Sequence, residues 1–269
     1  MEMARVSHRG SRHLQLPGPT LLVLLLAAPL SAQSPDPHAA QPERPTVATH
    51  AGTVAPRWLE IETGLEYDRV SGQGDAAQVP LLFKLGLARR LQLSVLLPFL
   101  SPSAGTIGTG ELSVGLKWRL LEGAPVLGNF AILPAIKLPT GAAAEGRGTG
   151  TTDASLLLIS SHALGPVAMD LNAGITRRSG DGSETPKTAT VWTASFGGPL
   201  AGPSGWVAEV YGYPGTKGPA GSANIVALLA GPTLEVRPWM VLDLGGILPI
   251  TGPQPYALYT GLTWNIGKL

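Results

Sequence analysis

The stretch GELSVGLKWRL (residues 110–120) alternates strictly between polar and apolar positions. Successive side chains of a strand point to opposite faces, so this pattern predicts a strand with one apolar face and one charged face. In a soluble sandwich the apolar face lies in the core and the charged face contacts water. In a membrane barrel the apolar face contacts lipid and the charged face lines the interior.

The same alternation recurs along most of the chain and predicts about twelve strands, each close to the roughly 9–11 residues that a tilted membrane strand requires. The predicted strands lie at about 58–68, 78–88, 91–99, 110–120, 129–138, 153–163, 167–177, 188–196, 206–213, 223–236, 241–249 and 256–266. Pro134 cannot donate to a ladder and predicts a bulge or a local break. An even strand number is typical of single-chain bacterial barrels.

The connections between these strands alternate between compact and long. Compact ones include ARR (88–90) and LGP (164–166), whereas PTGAAAEGRGTGTT (139–152) and RSGDGSETPK (178–187) are long and rich in glycine. Outer-membrane barrels have short periplasmic turns at one rim and longer external loops at the other. Two compact-side links, LEGAPVLG and GGPLAGPSG, are longer than this rule prefers. The alternation therefore favours the membrane barrel over the sandwich.

The N-terminus predicts export. Three arginines precede the apolar run LLVLLLAAPL (21–30), which is too short for a spanning helix but suits a secretory signal. We therefore predict a signal peptide over residues 1–32, cleaved after Ala32. Residues 33–56 are rich in proline and alanine and predict a flexible lead-in, in which His38 and His50 are solvated and which could reach into the barrel and close it. Residues 57–269 form the predicted barrel.

Composition supports this interpretation and excludes some functions. Charged residues make up 14% of the chain, below the roughly 25% of typical soluble domains, and a lipid-facing wall needs none. Removal of residues 1–32 takes three arginines and Glu2 from 19 basic and 18 acidic residues, which leaves a net charge of −1. No basic excess remains to bind nucleic acid. Cysteine is absent, which excludes disulfides and thiolate metal sites.

Charged and amide side chains that alternate with apolar neighbours are the candidates for the barrel interior. The same charges facing lipid would cost roughly 2–4 kcal/mol for each Lys or Arg at mid-depth. The predicted lumen and solute-contact residues are Glu60, Glu62, Lys84, Glu111, Lys117, Arg119, Lys137, Asp170, Asn172, Glu209 and Asp243. Among these, Glu111, Lys117 and Arg119 are the first candidates for contact with a solute.

Catalytic and cofactor sites find little support in the sequence. The predicted barrel contains one histidine, His162, and Ser160 lies two positions away on the same face, a poor separation for a hydrogen bond. No GxSxG nucleophile elbow is present, and no cluster of His or carboxylate side chains has metal-ligand spacing. We therefore predict no catalytic residue, no metal and no cofactor, and a protein that is not an enzyme.

Several motifs resemble, in their order, a family of bacterial outer-membrane barrels assigned to MetA-pathway phenol degradation. The matching pieces are GTGELSVGLKWRL (108–120), IKLPTG (136–141), GTGTTD (148–153), MDLNAGIT (169–176), AEVYG (208–212) and VLDLGG (241–246). This resemblance implies a barrel of about twelve strands and a transporter-like role for aromatic or other small organic solutes.

The sequence thus predicts an all-β, single-domain, antiparallel up-and-down barrel of about twelve strands in the outer membrane. Its predicted function is passive or facilitated passage of small, aromatic or hydrophobic organic solutes through a lumen of mixed charge. Its expected partners are the lipid bilayer, these solutes and the barrel-assembly machinery. The alternatives are a structural or surface-interaction barrel without an open pore, a secreted soluble β-sandwich, and a barrel hydrolase that depends on His162.

Overall fold

The computed structural model describes residues 36–70 and 74–269, so the predicted signal peptide lies outside the described residues. The regular structure of the described part is strand, apart from a single turn of 3₁₀ helix at Ala143–Glu145. The strands are β1 (Trp58–Val70), β2 (Gly74–Ala88), β3 (Leu91–Ser101), β4 (Gly108–Thr109), β5 (Ser113–Ala124), β6 (Gly128–Lys137), β7 (Asp153–Leu164), β8 (Val167–Arg178), β9 (Thr188–Pro199), β10 (Ser204–Tyr213), β11 (Ile225–Arg237), β12 (Met240–Thr251) and β13 (Tyr256–Lys268).

Twelve of these strands form one closed antiparallel barrel. Each pairs with its neighbours in chain order, and β1 pairs with both β2 and β13, which closes the sheet. The two-residue strand β4 lies outside this ring and pairs only with the end of β3, at Phe99 and Leu100. The predicted all-β, up-and-down barrel of twelve strands is confirmed.

The two rims differ in the length of their connections. The short-turn rim carries residues 89–90, 125–127, 165–166, 200–203 and 238–239. The opposite, long-loop rim carries residues 102–112, 138–152, 179–187 and 214–224, together with the four-residue link 252–255. The links LEGAPVLG and GGPLAGPSG are shorter than the sequence suggested, because the flanking strands continue into them. The C-terminus lies at the short-turn rim, where the Leu269 N–H donates to Arg57 O.

The two faces of the wall match the alternation in sequence. Leucines such as Leu116, Leu158 and Leu244 point outward and are exposed, Leu244 to 57%. Charged residues in the opposite phase point inward and are buried, and Lys84 and Lys117 have no exposed surface. An exposed apolar wall around a polar interior is the arrangement of a barrel whose exterior contacts lipid.

The segment 153–163, whose alternation is weak, forms a complete strand, β7. Pro134 has no N–H to donate, and it interrupts the ladder. β5 and β6 pair at Gly115–Ala135 and again at Trp118–Ile132, but not at the two positions between. Among the described residues, no helix has the length and apolar character to cross a membrane.

Residues 36–56, hereafter the lumen segment, fold into the barrel. Both of their ends lie at the short-turn rim: Ala40 N donates to Pro238 O, and Pro56 forms an isolated bridge with Gly86 of β2. The sequence suggested a flexible lead-in here, but in the structure these residues occupy the interior. They form neither helix nor strand, because their backbone groups bond to inward side chains of the wall rather than to a ladder.

The outward face yields a prediction about depth in the bilayer. We expect Leu244→Arg, near the middle of β12, to lower the free energy of folding into lipid vesicles by about 2–4 kcal/mol. Val236→Arg, beside the short-turn rim, is the matched control and should cost about 0–1 kcal/mol. Equilibrium refolding from urea measures both. Equal costs at the two positions would show that β12 does not cross a bilayer.

Candidate functional site

The lumen segment is held at the short-turn rim by aromatic and amide contacts. The His38 ring lies between Trp58 and Trp239, with ring centroids at 4.8 and 5.8 Å, and its Nε2 is 2.9 Å from Asn265 O. The Asn265 side-chain amide donates to Pro37 O and Ala39 O. His38 is therefore packed against the wall rather than solvated as the sequence suggested.

Three wall carboxylates accept hydrogen bonds from the backbone of the lumen segment. Glu60 accepts from Gln41 N at 2.7 Å. Glu62 accepts from the backbone N–H groups of Glu43 and Arg44. Glu209, on the far side of the barrel, accepts from Val47 N at 2.8 Å and from Ala48 N at 2.7 Å. Because all three carboxylates are at least 98% buried, water contributes little to these contacts.

Neutral polar side chains continue the same pattern. Asn172 binds Thr49 in both directions, through Oδ1 to the N–H and through Nδ2 to the carbonyl, at 2.8 and 2.9 Å. Ser161 Oγ accepts from Ala51 N at 2.8 Å. Gln92 Oε1 accepts from Val54 N at 2.9 Å. The wall thus supplies acceptors along the whole length of the lumen segment.

A buried ionic network joins the lumen segment to β2 and β5. Lys84 Nζ lies 2.6 Å from Glu60 Oε1, 2.5 Å from Glu62 Oε1 and 3.8 Å from Glu43 Oε1. Lys117 Nζ lies 2.5 Å from the same Glu43 oxygen. A buried charge without a partner costs several kcal/mol, so each of these groups depends on the others.

A second ion pair ties the lumen segment to β12. The Arg44 guanidinium lies 3.4 Å from Asp243 and also donates to Thr260 O. It passes over Gly64 and Gly261, which are directly paired between β1 and β13. A Cβ on Gly261 would lie 2.2 Å from Arg44 Nε, so a glycine at this position leaves room for the guanidinium.

His50 connects the two arms of the lumen segment. Its Nδ1 accepts from Gly52 N at 3.0 Å, so the ring hydrogen lies on Nε2 and points to Gln41 O at 3.3 Å. Lys117 Nζ donates to His50 O at 3.1 Å. His50 is thus an internal link rather than a solvated side chain.

Toward the long-loop rim the inner surface becomes apolar. Tyr211, Leu229, Ile247 and Tyr259 form one buried cluster on β10–β13. A second cluster lies against the lumen segment, where Ala51 packs with Ala131 of β6 and Ile159 of β7, extended by Leu133 and Leu157. The lumen therefore has a polar half, filled by the lumen segment, and a half in which β10–β13 present tyrosine and apolar side chains and Gln78 of β2 donates to Glu66 of β1.

A separate group of charges closes over the long-loop rim. Lys137 forms an ion pair with Glu111 and a second one with Asp153 at 3.1 Å. Arg178 lies 3.4 Å from Asp153. Burial alone would raise the pKa of the Glu111 carboxyl, but hydrogen bonds from Lys137 and from the backbone of loop 138–152 outweigh it and hold the pKa below its ordinary value. This group, the rim cluster, fixes loop 138–152.

The structure brings most of the predicted lumen residues together, though around the lumen segment rather than around open space. Those that bind the segment directly are Glu60, Glu62, Lys84, Lys117, Asn172, Glu209 and Asp243. Asp170 accepts from Ser161 Oγ at 2.5 Å and so supports the Ala51 contact. Arg119 pairs with Glu122 at 3.0 Å near the short-turn rim. Glu111 and Lys137 belong to the rim cluster.

Sequence reasoning missed Gln92, Ser161 and Asn265, which also bind the lumen segment. Each occupies an inward position of its strand, so the parity that selected the charged residues applies to them too. The signal that could have found them is a neutral amide or hydroxyl in the inward phase. For example, Gln92 and Ser94 alternate with leucines in LQLSVLL.

The prediction that Ser160 and His162 are poorly placed for a hydrogen bond is wrong, because Ser160 Oγ lies 2.8 Å from His162 Nε2. Both side chains lie on the outer face of β7, and the long histidine side chain spans the two positions between them. Ser160 Oγ donates its hydrogen to Leu127 O at 2.8 Å, so His162 is the donor to Ser160 rather than its base. This geometry is opposite to that of a nucleophile and its base.

Comparisons with known proteins agree on the fold. The COG4313 outer membrane channel from Pseudomonas putida F1 has a TM-score of 0.58 at 17% identity, covering 79% of this chain and 96% of that one. The KdgM porin gives 0.52 at 9% identity, with 76% and 98% coverage. The NanC porin gives 0.52 at 8%, with 77% and 100% coverage. No family model matches the chain, and no curated protein sequence does.

The acceptors of the wall yield a prediction about the lumen segment. Glu209→Ala leaves the N–H groups of Val47 and Ala48 without an acceptor, at about 1–3 kcal/mol each. Because the chain has no cysteine, Ala51→Cys provides a single buried thiol as a reporter. We expect a water-soluble maleimide to label this thiol faster in the Glu209→Ala background. Glu184→Ala, in loop 179–187 of the long-loop rim, is the control. Equal labelling rates in the Glu209→Ala and Glu184→Ala backgrounds would show that Glu209 does not hold the segment.

The rim cluster yields a second prediction. Glu111→Ala removes the hydrogen-bond acceptor of Lys137 and of Gly150 N, so loop 138–152 should open more often. We expect trypsin to cleave the variant after Arg147 about tenfold faster than the native chain, as expected for the loss of one charged hydrogen bond. Mass spectrometry of the fragments identifies this cleavage. An unchanged rate would mean that the loop is held by other contacts.

Proposed function

We propose that this chain is an outer-membrane channel that passes small, aromatic or apolar organic solutes passively, and that the described structure is its closed state. The closed barrel, its apolar outer wall and its two unequal rims support this proposal. In such barrels the short turns face the periplasm, so the lumen segment would close the periplasmic half. The signal peptide and assembly by the barrel-assembly machinery belong to the same proposal.

The observation that carries the proposal is how the lumen segment is attached. It is joined to the wall by side-chain hydrogen bonds and ion pairs rather than by a strand ladder or by a continuous apolar core. Such contacts exchange readily with water once the segment moves, whereas the pairing of the wall stays intact. The segment can therefore leave the lumen without unfolding the barrel.

The remaining space suits a small organic solute. On β10–β13 the half of the lumen toward the long-loop rim is lined by tyrosine, leucine and isoleucine. At the opposite rim a cavity of about 580 Å³ lies beside Ala39, Ala40 and Pro42, between the lumen segment and the wall. A solute would meet an apolar vestibule first and reach this cavity after passing the segment. The resemblance to phenol-degradation barrels agrees with this class of solute.

A structural barrel without a pore is the second candidate, and one observation favours it. The lumen is sealed by interlocked Lys–Glu pairs, with Lys84 between Glu60 and Glu62. Such a seal would be permanent if the lumen segment never leaves. The soluble β-sandwich is not supported, because the sheet closes into one barrel with an apolar exterior.

Liposome uptake separates the two candidates. The double variant Asn172→Ala/Glu209→Ala removes the wall acceptors of three consecutive N–H groups, Val47, Ala48 and Thr49, and leaves the barrel pairing intact. We expect vesicles carrying the double variant to take up small aromatic solutes at least about tenfold faster than vesicles carrying the native chain, given about 1–3 kcal/mol for each lost acceptor. Radiolabelled phenyl glucoside, an aromatic probe whose hydroxyl groups keep it from crossing lipid unaided, and a small neutral sugar are suitable probes.

The control is Glu184→Ala, which should behave like the native chain. Faster entry of the aromatic probe than of the sugar would support the proposed solute class, and equal entry of both would indicate a general pore. If the double variant inserts and refolds but passes neither probe, the channel proposal fails and the structural barrel is favoured.

A further inference from the structure

We propose that Lys84 Nζ, Gln92 Nε2 and Lys117 Nζ, hereafter the carboxylate site, bind the carboxylate of an organic acid solute, and that Glu43 occupies this site in the closed state. The proposal rests on the proposed channel function and names its substrate class. It also explains how the solute itself would release the lumen segment.

The three donors belong to the wall, whereas the group they hold belongs to the lumen segment. A single oxygen of Glu43, Oε1, lies 2.5 Å from Lys117, 3.1 Å from Gln92 and 3.8 Å from Lys84. The three wall residues sit on β5, β3 and β2, and each is at least 99% buried. The wall thus forms a built receptor for one carboxylate, and Glu43 fills it as a substituent of a movable chain.

The partners of Lys117 show which group would replace Glu43 when the lumen segment leaves. Within the described ranges, Glu43 provides the one carboxylate that lies within 4 Å of Lys117 Nζ. The other oxygens at Lys117, Thr49 Oγ1 and His50 O, also belong to the lumen segment and would leave with it. Lys84 keeps Glu60 and Glu62 as partners. Release of the segment therefore leaves Lys117 without the carboxylate that contacts it, and a monoanion would take the place of Glu43 there.

The surroundings select the rest of the solute. Leu82 lies two residues from Lys84 on the same face of β2. Leu96 and Leu133 occupy inward positions on β3 and β6. A solute with an apolar body could lie against these side chains with its carboxylate on Lys117. Glu60 and Glu62, close to Lys84, would repel a second negative charge. The matching class is an apolar or aromatic monocarboxylate rather than a phosphate or a dicarboxylate.

Binding of such a solute would compete directly with Glu43. Since Glu43 shares the lumen segment with the backbone contacts to Glu62, Glu209 and Asn172, displacing its carboxylate weakens the whole attachment. The carboxylate site would thereby couple the presence of the solute to opening of the channel.

The test uses the full chain in detergent micelles, with Ala51→Cys as the thiol reporter and benzoate as the probe. Benzamide has the same ring without the charge. We expect benzoate to raise the maleimide labelling rate by at least about tenfold, as expected for a charged hydrogen bond, and benzamide to leave it unchanged. Lys117→Gln should abolish the response to benzoate, and Lys217→Gln, in an exposed loop, should keep it.

Calorimetry on Glu43→Gln provides an independent arm that does not depend on a lysine variant folding. Without the competing carboxylate, this variant should bind benzoate at least about tenfold more tightly than the native chain. Equal responses to benzoate and benzamide, a response that persists in Lys117→Gln, or an affinity that Glu43→Gln leaves unchanged would each overturn the carboxylate site.

The outcomes for the site and for the channel are distinguishable. Liposome uptake of phenyl glucoside reports on the channel alone, since this probe carries no carboxylate. Uptake without benzoate binding would refute the carboxylate site and leave the channel in place. Benzoate binding without uptake of any probe by the native chain or the Asn172→Ala/Glu209→Ala variant would support the site and refute the channel.

Discussion

The structure depends on one constraint: the backbone of an irregular segment, buried inside a barrel, must find a partner for each polar group. A ladder is not available, because the wall strands already pair with one another. An unpaired buried N–H costs about 1–3 kcal/mol. The wall meets this need with side chains, and Glu60, Glu62, Glu209, Asn172 and Gln92 together accept hydrogen bonds along the length of the lumen segment.

This requirement explains the mixed charge of the interior. Carboxylates are efficient acceptors for backbone N–H groups, since one carboxylate serves two neighbouring amides, as Glu209 does. Where two of these carboxylates, Glu60 and Glu62, lie close together, Lys84 on β2 forms ion pairs with both. Lys117 in turn needs a carboxylate, which the lumen segment returns through Glu43. Wall and segment are therefore complementary in charge as well as in hydrogen bonding. Breaking one contact weakens several others.

The barrel could be predicted from the sequence because its determinants are local. Period-two alternation identifies a strand without knowledge of its neighbours, and the lengths of the connections assign them to rims. Parity also selected residues such as Glu62, Lys84 and Glu209, since a charge in phase with the interior has no acceptable place on a lipid-facing wall. Strand ends were less accurate, because glycines and prolines in LEGAPVLG and GGPLAGPSG suggested loops where pairing continues.

The sequence allowed residues 33–56 to reach into the barrel, but their conformation and contacts could not be predicted, because nothing local determines them. Their prolines and alanines carry no period, and their shape comes from side chains that lie far away in sequence, such as Asn172 and Glu209. The role of Glu43 was equally hidden, since a lone glutamate in a proline-rich stretch is usually solvated. The pairing of Ser160 with His162 was missed for a different reason: a parity count gives the face on which a side chain lies but not how far a histidine reaches along that face.

Hydrogen–deuterium exchange of the unmodified, refolded chain tests the central claim most directly. If the lumen segment fills the barrel, the amides of residues 41, 43, 47–49 and 51 are protected to a degree comparable with the wall strands. Mass spectrometry of peptides from residues 36–56 should then show exchange slowed by at least about a hundredfold relative to the unfolded chain. Exchange at the rate of an unstructured peptide, with the strands still protected, would contradict the account and place this segment outside the lumen.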